Sequence, residues 1–569
     1  MADLETAIRK WALKNAHDYK LAIPNRVIGR VIAEVPEAKD DMKGTMARIN
    51  EEAKRVNGMS HEQVAAELAE FSFEEKKEEE EKKIELPGAV QGKVVTRFLP
   101  EPSGYPHIGH AKAAFLNFEG AKNAGGKMRL RFDDTNPEKE KQEFVEAITE
   151  GLAWLGVSWE GEITYTSDYM ERLHDFADEM ILKHKAYVCT CPADEVKRGR
   201  QEGEECLCRT KMAEDNMIDW RKMIAGKFEE GEAILRFRGN MKADNTVMRD
   251  PTLFRMLKTP HYRQGEKYKC WPSYDFACPV VDSLEGITHA MRSKEYELRD
   301  ELYYAIPKIL DLRTPRMISF SRLAIAGAPV SKRLITPLIN EGKVSGYDDP
   351  RLPTLVALKR RGIMPEAIRK FVLQFGLSKV ESEPGWGKLL NENKKIIDPV
   401  SQRRFFVAEP VRLELERFSP KVAELRNHPA KSEFGSRQLI VQSPFYIAGR
   451  DAAALSNDEV FRLKDLCNVK VKEKSDGIVV CEYATDEGQV AKKVQWVCEL
   501  AKVEAEVSVV GDLLVDEKYN PESLKVVSGF AEKSCEALEV GTILQFERFG
   551  FVRLDAKEGG KLKFILSCE

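Results

Sequence analysis

The chain has 569 residues, 43% of them hydrophobic and 32% charged, which suits roughly three to five domains at about 150 residues each. Its 89 basic and 93 acidic residues leave a net charge of -4, so bulk charge announces no nucleic-acid partner and any basic surface is a local patch. The absence of any apolar run of about 18 residues excludes a membrane span, and 11 scattered cysteines point to a reducing cytoplasm rather than a disulfide framework.

The N-terminus, Met1-Ala-Asp-Leu-Glu5, is acidic and lacks the apolar core of a signal peptide. Leu4, Ile8 and Trp11, then Met42, Met46, Ile49, Ala53 and Val56, recur at helical spacing. Glu74 to Lys83 is almost pure charge and reads as a solvated helix or linker. Residues 1–83 are therefore expected to form a helical accessory domain and its charged connection, with a protein partner as a candidate occupant of those helices.

Over 89–186 strands and helices alternate, as a doubly wound sheet requires. Val94-Val95-Thr96 leads into Arg97-Phe-Leu-Pro100-Glu-Pro-Ser-Gly104-Tyr-Pro-His107-Ile-Gly109-His110, and a helical face with Ala111, Phe115 and Phe118 follows. Strand, small-residue turn and helix make a phosphate site, because backbone N–H groups and the positive helix end face the anion. No G-x-G-x-x-G is present, so this is not the dinucleotide fingerprint. His-x-x-His by itself also suits a surface loop or a metal pair; the loop context favours a nucleotide. Met128–Phe132 reads as the next strand, ending at Asp133-Asp-Thr-Asn-Pro137 where ligands of parallel sheets bind.

From about Tyr187 to Tyr274 the texture changes to an insertion, with one strand at Ala233–Phe237 and a long irregular stretch. Two Cys-x-Cys pairs, Cys189/Cys191 and Cys206/Cys208, could form a structural tetrahedral zinc site; four ordinary reduced thiols are the alternative. The sheet domain is expected to return over 275–312, with helices resuming after Ile287. In 313–400, Pro329-Val-Ser331-Lys332-Arg333 follows the glycine loop Ala326-Gly-Ala328. Ser-Lys-Arg alone is trivial, but here it could close over a triphosphate and stabilise charge on pyrophosphate. Neither loop supplies a nucleophile or base, so the natural reaction is in-line attack of a substrate carboxylate on an ATP phosphorus. Past Ser401 the runs Val469–Lys472, Gly477–Cys481, Val507–Val510 and Thr542–Phe546, separated by turns at Ser475–Gly477 and Gly559-Gly560, predict antiparallel barrels over 401–569.

With both loops placed, the chain resembles the class I aminoacyl-tRNA synthetases, specifically the archaeal/eukaryotic type of glutamyl-tRNA synthetase. The HIGH motif stands intact at His107-Ile-Gly-His110. The KMSKS motif corresponds to Pro329–Arg333, where Pro329 replaces the first lysine and Ser331-Lys332 is kept. Arg131–Pro137, Met248–Pro251, Thr259–Tyr262, Tyr274–Ala277 and Ile287–Ala290 match in family order. The resemblance implies an α/β multidomain architecture: a Rossmann-like catalytic domain with an inserted acceptor-end domain, an N-terminal helical domain and C-terminal anticodon-binding β-barrels. It implies catalytic His107, His110 and Lys332. ATP would be bound by Pro100, Gly104, His107, Gly109, His110, Ser331, Lys332 and Arg333, with Mg²⁺. Glutamate would be held by Arg97, Asp133, Tyr274 and Arg292, and tRNA-Glu would be the second substrate, at times required before glutamate is activated. An arginine fork suits a second carboxylate, and glutaminyl relatives typically lack an arginine at the Arg292 position. Glutaminyl-tRNA synthetase is the alternative, with a non-catalytic tRNA-binding scaffold behind it; a cytoplasmic monomer is the default.

Overall fold

The structure is a computed structural model describing residues 3–19, 21–71, 83–475, 477–488 and 490–569. The charged run expected as a linker lies outside the described residues except for Lys83, and Asp476 of the expected 475–477 turn is likewise outside. The chain divides into two compact units, 1–80 and 81–569.

The first unit is helical: Leu4–Tyr19, Pro24–Glu34, Met42–Asn57 and His61–Leu68. Ile8, Val27, Val31 and Ile49 share one core, and Ala12, Ala53, Val56 and Val64 another. Arg9 crosses three helices by pairing with Glu52 and Glu67. Met42 departs from the expected apolar face; it is the first residue of its helix and lies exposed.

In the second unit the parallel strands Val95–Phe98, Lys127–Phe132 and Thr164–Tyr165 form one ladder, and His289–Ser293 pairs in parallel with Arg316–Phe320. The two ladders join where the Thr288 amide donates to the Val95 carbonyl at 2.8 Å and the Val95 amide to Thr288 Oγ1 at 2.8 Å. The strand order is thus 164–165, 127–132, 95–98, 289–293, 316–320. The order reverses between 95–98 and 289–293, which opens a crevice at the carboxyl ends. Tyr274–Leu284 is a helix and 289–293 a strand, where helices were expected to resume only after Ile287.

The insertion is more regular than its sequence suggests. Ala186–Cys189, Ile234–Phe237, Thr252–Met256 and Cys270–Pro272 make a four-stranded antiparallel sheet around buried Trp220, Leu235 and Phe254. Helices Lys332–Asn340, Leu355–Arg361, Pro365–Leu373 and Trp386–Ile397 follow. The strand-rich end forms two seven-stranded sheets. Their pairing is mostly antiparallel, but Pro410–Glu416 runs parallel to Ile478–Thr485 and Lys502–Val510 parallel to Lys561–Cys568. Side-chain alternation cannot distinguish these parallel pairs from antiparallel ones.

Candidate active site

The loop after strand Val95–Phe98 ends at His107, the N-cap of helix Ile108–Asn123. His107 Nδ1 accepts the Gly109 amide at 3.1 Å and His110 Nδ1 accepts the His107 amide at 3.2 Å. Both rings must therefore carry their proton on Nε2, and neither Nε2 has a protein partner among the described residues. Burial lowers the pKa of both, with mutual repulsion adding to the effect at His107; His110 falls to about 4. At neutral pH this is a pair of uncharged N–H donors at a helix N-terminus, suited to phosphate oxygens. Glycine is required at 109, since a Cβ would lie 2.9 Å from the His107 ring. The loop is pinned by Ile108 N to Pro353 O at 2.9 Å and Leu355 N to Pro106 O at 2.8 Å.

Ser331 stands at the N-cap position of helix Lys332–Asn340 without a side-chain capping bond, and the Lys332 ammonium reaches across to the Ser103 carbonyl at 3.0 Å, with Gly104 beside its side chain. Arg333 is exposed, without an ion-pair partner among the described residues. The two loops, more than 220 residues apart in sequence, thus meet. Lys112, missed in the sequence, strengthens this join: it leaves the histidine helix and donates to Ser321 O at 2.6 Å, just before the Ser331 loop.

Tyr274 interacts with Arg292, and Tyr296 joins Tyr274 to the electrostatic surroundings of Asp133. Tyr274 opens helix Tyr274–Leu284 and stands 5.2 Å from Tyr296, ring to ring. Arg292, 6% exposed, is paired with Asp300 and lies over Tyr303 at 5.3 Å. Its Nε is buried without a partner, a donor that a ligand would satisfy. Asp133 follows strand Lys127–Phe132; burial, with the Glu101 charge behind it, raises its pKa to about 6.

Arg97 is placed differently from the expectation of a free carboxylate fork. It is 2% exposed, its Nε donates to both oxygens of Asp282 at 3.0 and 3.2 Å, and its Nη1 donates to Met291 O at 2.9 Å. Only Nη2, 3.6 Å from the Cys278 sulfur, faces a weak acceptor. Arg131 joins Asp282 to Glu285 on the far side, and Tyr303 donates to Asp282 at 2.8 Å. Two arginines and two carboxylates, all buried, thus form a neutral lattice behind the pocket wall. The sequence offers no signal for it beyond Arg131 in the strand before Asp133.

Comparison with known proteins places the chain in a family. Residues 93–398 match the model of the class I tRNA synthetase (E and Q) catalytic domain, and 401–486 and 493–555 match two anticodon-binding domains of the same class. The chain belongs to the class I glutamate/glutamine tRNA synthetases. Proteins named glutamate--tRNA ligase align with this synthetase almost end to end. That of Nitrosopumilus maritimus is 43% identical, covering 98% of each chain; that of Cenarchaeum symbiosum is 41% identical, covering 98% of this chain and 99% of its own. The protein of Pyrococcus furiosus is 38% identical, with coverage of 98% and 99%.

In the insertion of the synthetase, Cys189 at the end of strand Ala186–Cys189 and Cys191, Cys206 and Cys208 beyond it bring their sulfurs within 4.8 Å of one another. Cys189–Cys206 and Cys191–Cys208 are each 3.8 Å apart, close to the edge of a tetrahedron with zinc–sulfur bonds of about 2.3 Å. The donor set therefore fits zinc, and four thiolates leave no open position for catalysis. No helix among the described residues is long and apolar enough to cross a membrane.

Proposed function

We propose that this synthetase is a glutamate–tRNA ligase of the cytoplasm, activating glutamate with ATP and Mg²⁺ and esterifying the 3′ end of tRNA-Glu. The observation that carries the reading is Arg292, buried beside Tyr274 and held by Asp300, with its Nε left without a partner. A glutamate carboxylate would accept this cationic donor in a charge-assisted hydrogen bond between two ions, stronger than the one a neutral glutamine amide oxygen would make. The printed names of the relatives support the same choice.

In the first step the glutamate α-carboxylate attacks the α-phosphorus of ATP and pyrophosphate leaves. His107 and His110 donate Nε2–H to the nucleotide, while Lys332 and Arg333 close over the leaving group; all act by stabilising charge rather than by moving protons. Pro100, Gly104, Gly109 and Ser331 shape the cradle. Asp133 receives the α-ammonium, Tyr274 lines the pocket and Arg292 takes the side-chain carboxylate. Arg97 adds its Nη2 edge from behind the pocket wall. The insertion, 187–274, takes the acceptor end and 401–569 the anticodon. The four cysteines hold a zinc ion that stiffens the inserted domain.

The test is aminoacylation of purified tRNA-Glu and tRNA-Gln with each amino acid. Glutamate transfer to tRNA-Glu is expected, with glutamine rejected; glutamine charging would favour the glutaminyl alternative. Absence of ATP–pyrophosphate exchange with glutamate and tRNA present would favour a scaffold.

A further inference from the structure

Arg236, in strand Ile234–Phe237 of the inserted sheet, is 2% exposed. A buried charge is paired or strongly disfavoured, yet no carboxylate among the described residues forms an ion pair with this guanidinium. Its Nε donates to a main-chain carbonyl, that of Asp250, at 2.9 Å. The Asp250 carboxylate next to it is taken by Arg209 at 3.0 Å, Tyr187 at 2.8 Å and the Gly239 amide at 2.8 Å. Lys211, the other cation near the cysteines, is paired with Asp219. What Arg236 does touch is sulfur: Nη1 lies 3.8 Å from Cys189 Sγ and 3.7 Å from Cys206 Sγ. Nη2 is buried with no partner. The Tyr187 hydroxyl approaches Cys206 Sγ at 3.7 Å from the same side.

We propose that Arg236 is a charge-compensating positioning residue of the four-cysteine site, spanning Cys189 and Cys206 and making the cluster a tight holder of a divalent metal. The reasoning rests on the zinc reading given above. A divalent ion on four thiolates is a dianion, here on one buried and three half-buried cysteines, and a guanidinium against two of its sulfurs removes half that charge. N–H···S contacts also fix the two sulfurs in the metal-binding geometry, as outer partners of metal sites generally do. The same contact explains why a buried arginine is tolerated here: its counter-charge is thiolate.

The test is Co²⁺ titration of the full-length protein, followed by displacement with Zn²⁺ in competition with a chromophoric chelator. Wild type is expected to take one Co²⁺ per chain with the near-ultraviolet absorption of sulfur-to-metal charge transfer. Arg236→Gln, which keeps a donor but loses the charge, is expected to weaken metal binding about 10- to 100-fold. Arg238→Met, altering a neighbour that bonds Arg209 O instead, leaves it unchanged. If Arg236→Gln cannot be obtained folded, Arg236→Lys replaces it. Lysine keeps the charge but loses the planar fork, and about a five-fold weakening is expected. Wild-type affinity in the folded variant overturns the role of Arg236 alone. Failure of the wild type to take up metal overturns the zinc reading and this role with it.

Discussion

Lys332 Nζ donates to the Ser103 carbonyl at 3.0 Å, so the Ser331-Lys332 loop already touches the loop that carries His107 and His110. The lysine is exposed and its acceptor is a single main-chain oxygen. A triphosphate entering between the loops would offer a far stronger partner for the ammonium.

Lys332→Ala is therefore expected to lower ATP–pyrophosphate exchange about 100-fold while leaving the glutamate KM within about three-fold. The split between kcat and KM checks the role. A large KM change for glutamate with kcat intact would place Lys332 outside the phosphate machinery.

The histidine loop was legible in the sequence because its chemistry is local: cap, glycine and helix lie within four residues. The lattice around Arg97 was not, since its counter-ion Asp282 is 185 residues away and reaches it only through the sheet order. Helix Tyr274–Leu284 was hidden by Pro279 inside it, a residue that ordinarily ends a helical reading. In the insertion, Thr252–Met256 buries residues on both faces instead of alternating, and Cys270–Pro272 is only three residues long. The cysteine pairs were legible as candidate ligands, but Arg236 beside them was not, because its strand reads as ordinary sheet.

Arg292→Ala is expected to lower kcat/KM for glutamate about 100-fold, mostly through KM, because the substrate carboxylate loses a charged donor. The effect would be read in tRNA-Glu charging at graded glutamate concentrations. Unimpaired charging would remove Arg292 from the pocket.

Asp282 serves two buried arginines at once. Burial alone would raise its pKa, yet Arg97 and Arg131 hold it down at about 2. Asp282→Asn strips the charge from between them and leaves the lattice, still holding Glu285 on Arg131, with one uncompensated positive charge. A loss of about 3–5 kcal/mol in unfolding free energy is expected from urea denaturation. Arg316→Gln, at the exposed start of an edge strand, serves as a comparison and is expected to change stability by under about 0.5 kcal/mol.

Glu140 gives the synthetase a pH dependence of stability with a definite sign. Its carboxyl accepts the Asn136 amide at 2.8 Å, but Oε2 is buried without a hydrogen-bond partner, with His261 Nε2 3.7 Å away. Burial, reinforced by the nearby Asp133 and Glu101 charges, raises its pKa from 4.5 to about 9. Between those values the folded state keeps a proton that the unfolded chain releases. The folded form then binds more protons, so the contribution of Glu140 to stability falls as pH rises through the window. Asp134, raised to about 7 mainly by burial, adds a slope of the same sign at lower pH. Glu140→Gln mimics the protonated acid and cannot ionise. It is expected to melt with the wild type near about pH 5 and at higher temperature than the wild type near about pH 8.5, since only the wild type then has to keep its carboxyl protonated against the solution. Asp134 is present in both proteins, but the Glu140 charge is among the causes that raise its pKa, so the difference between the two melting curves reads Glu140 together with its effect on Asp134. A difference that stays constant across the range would mean that Glu140 does not titrate in the fold.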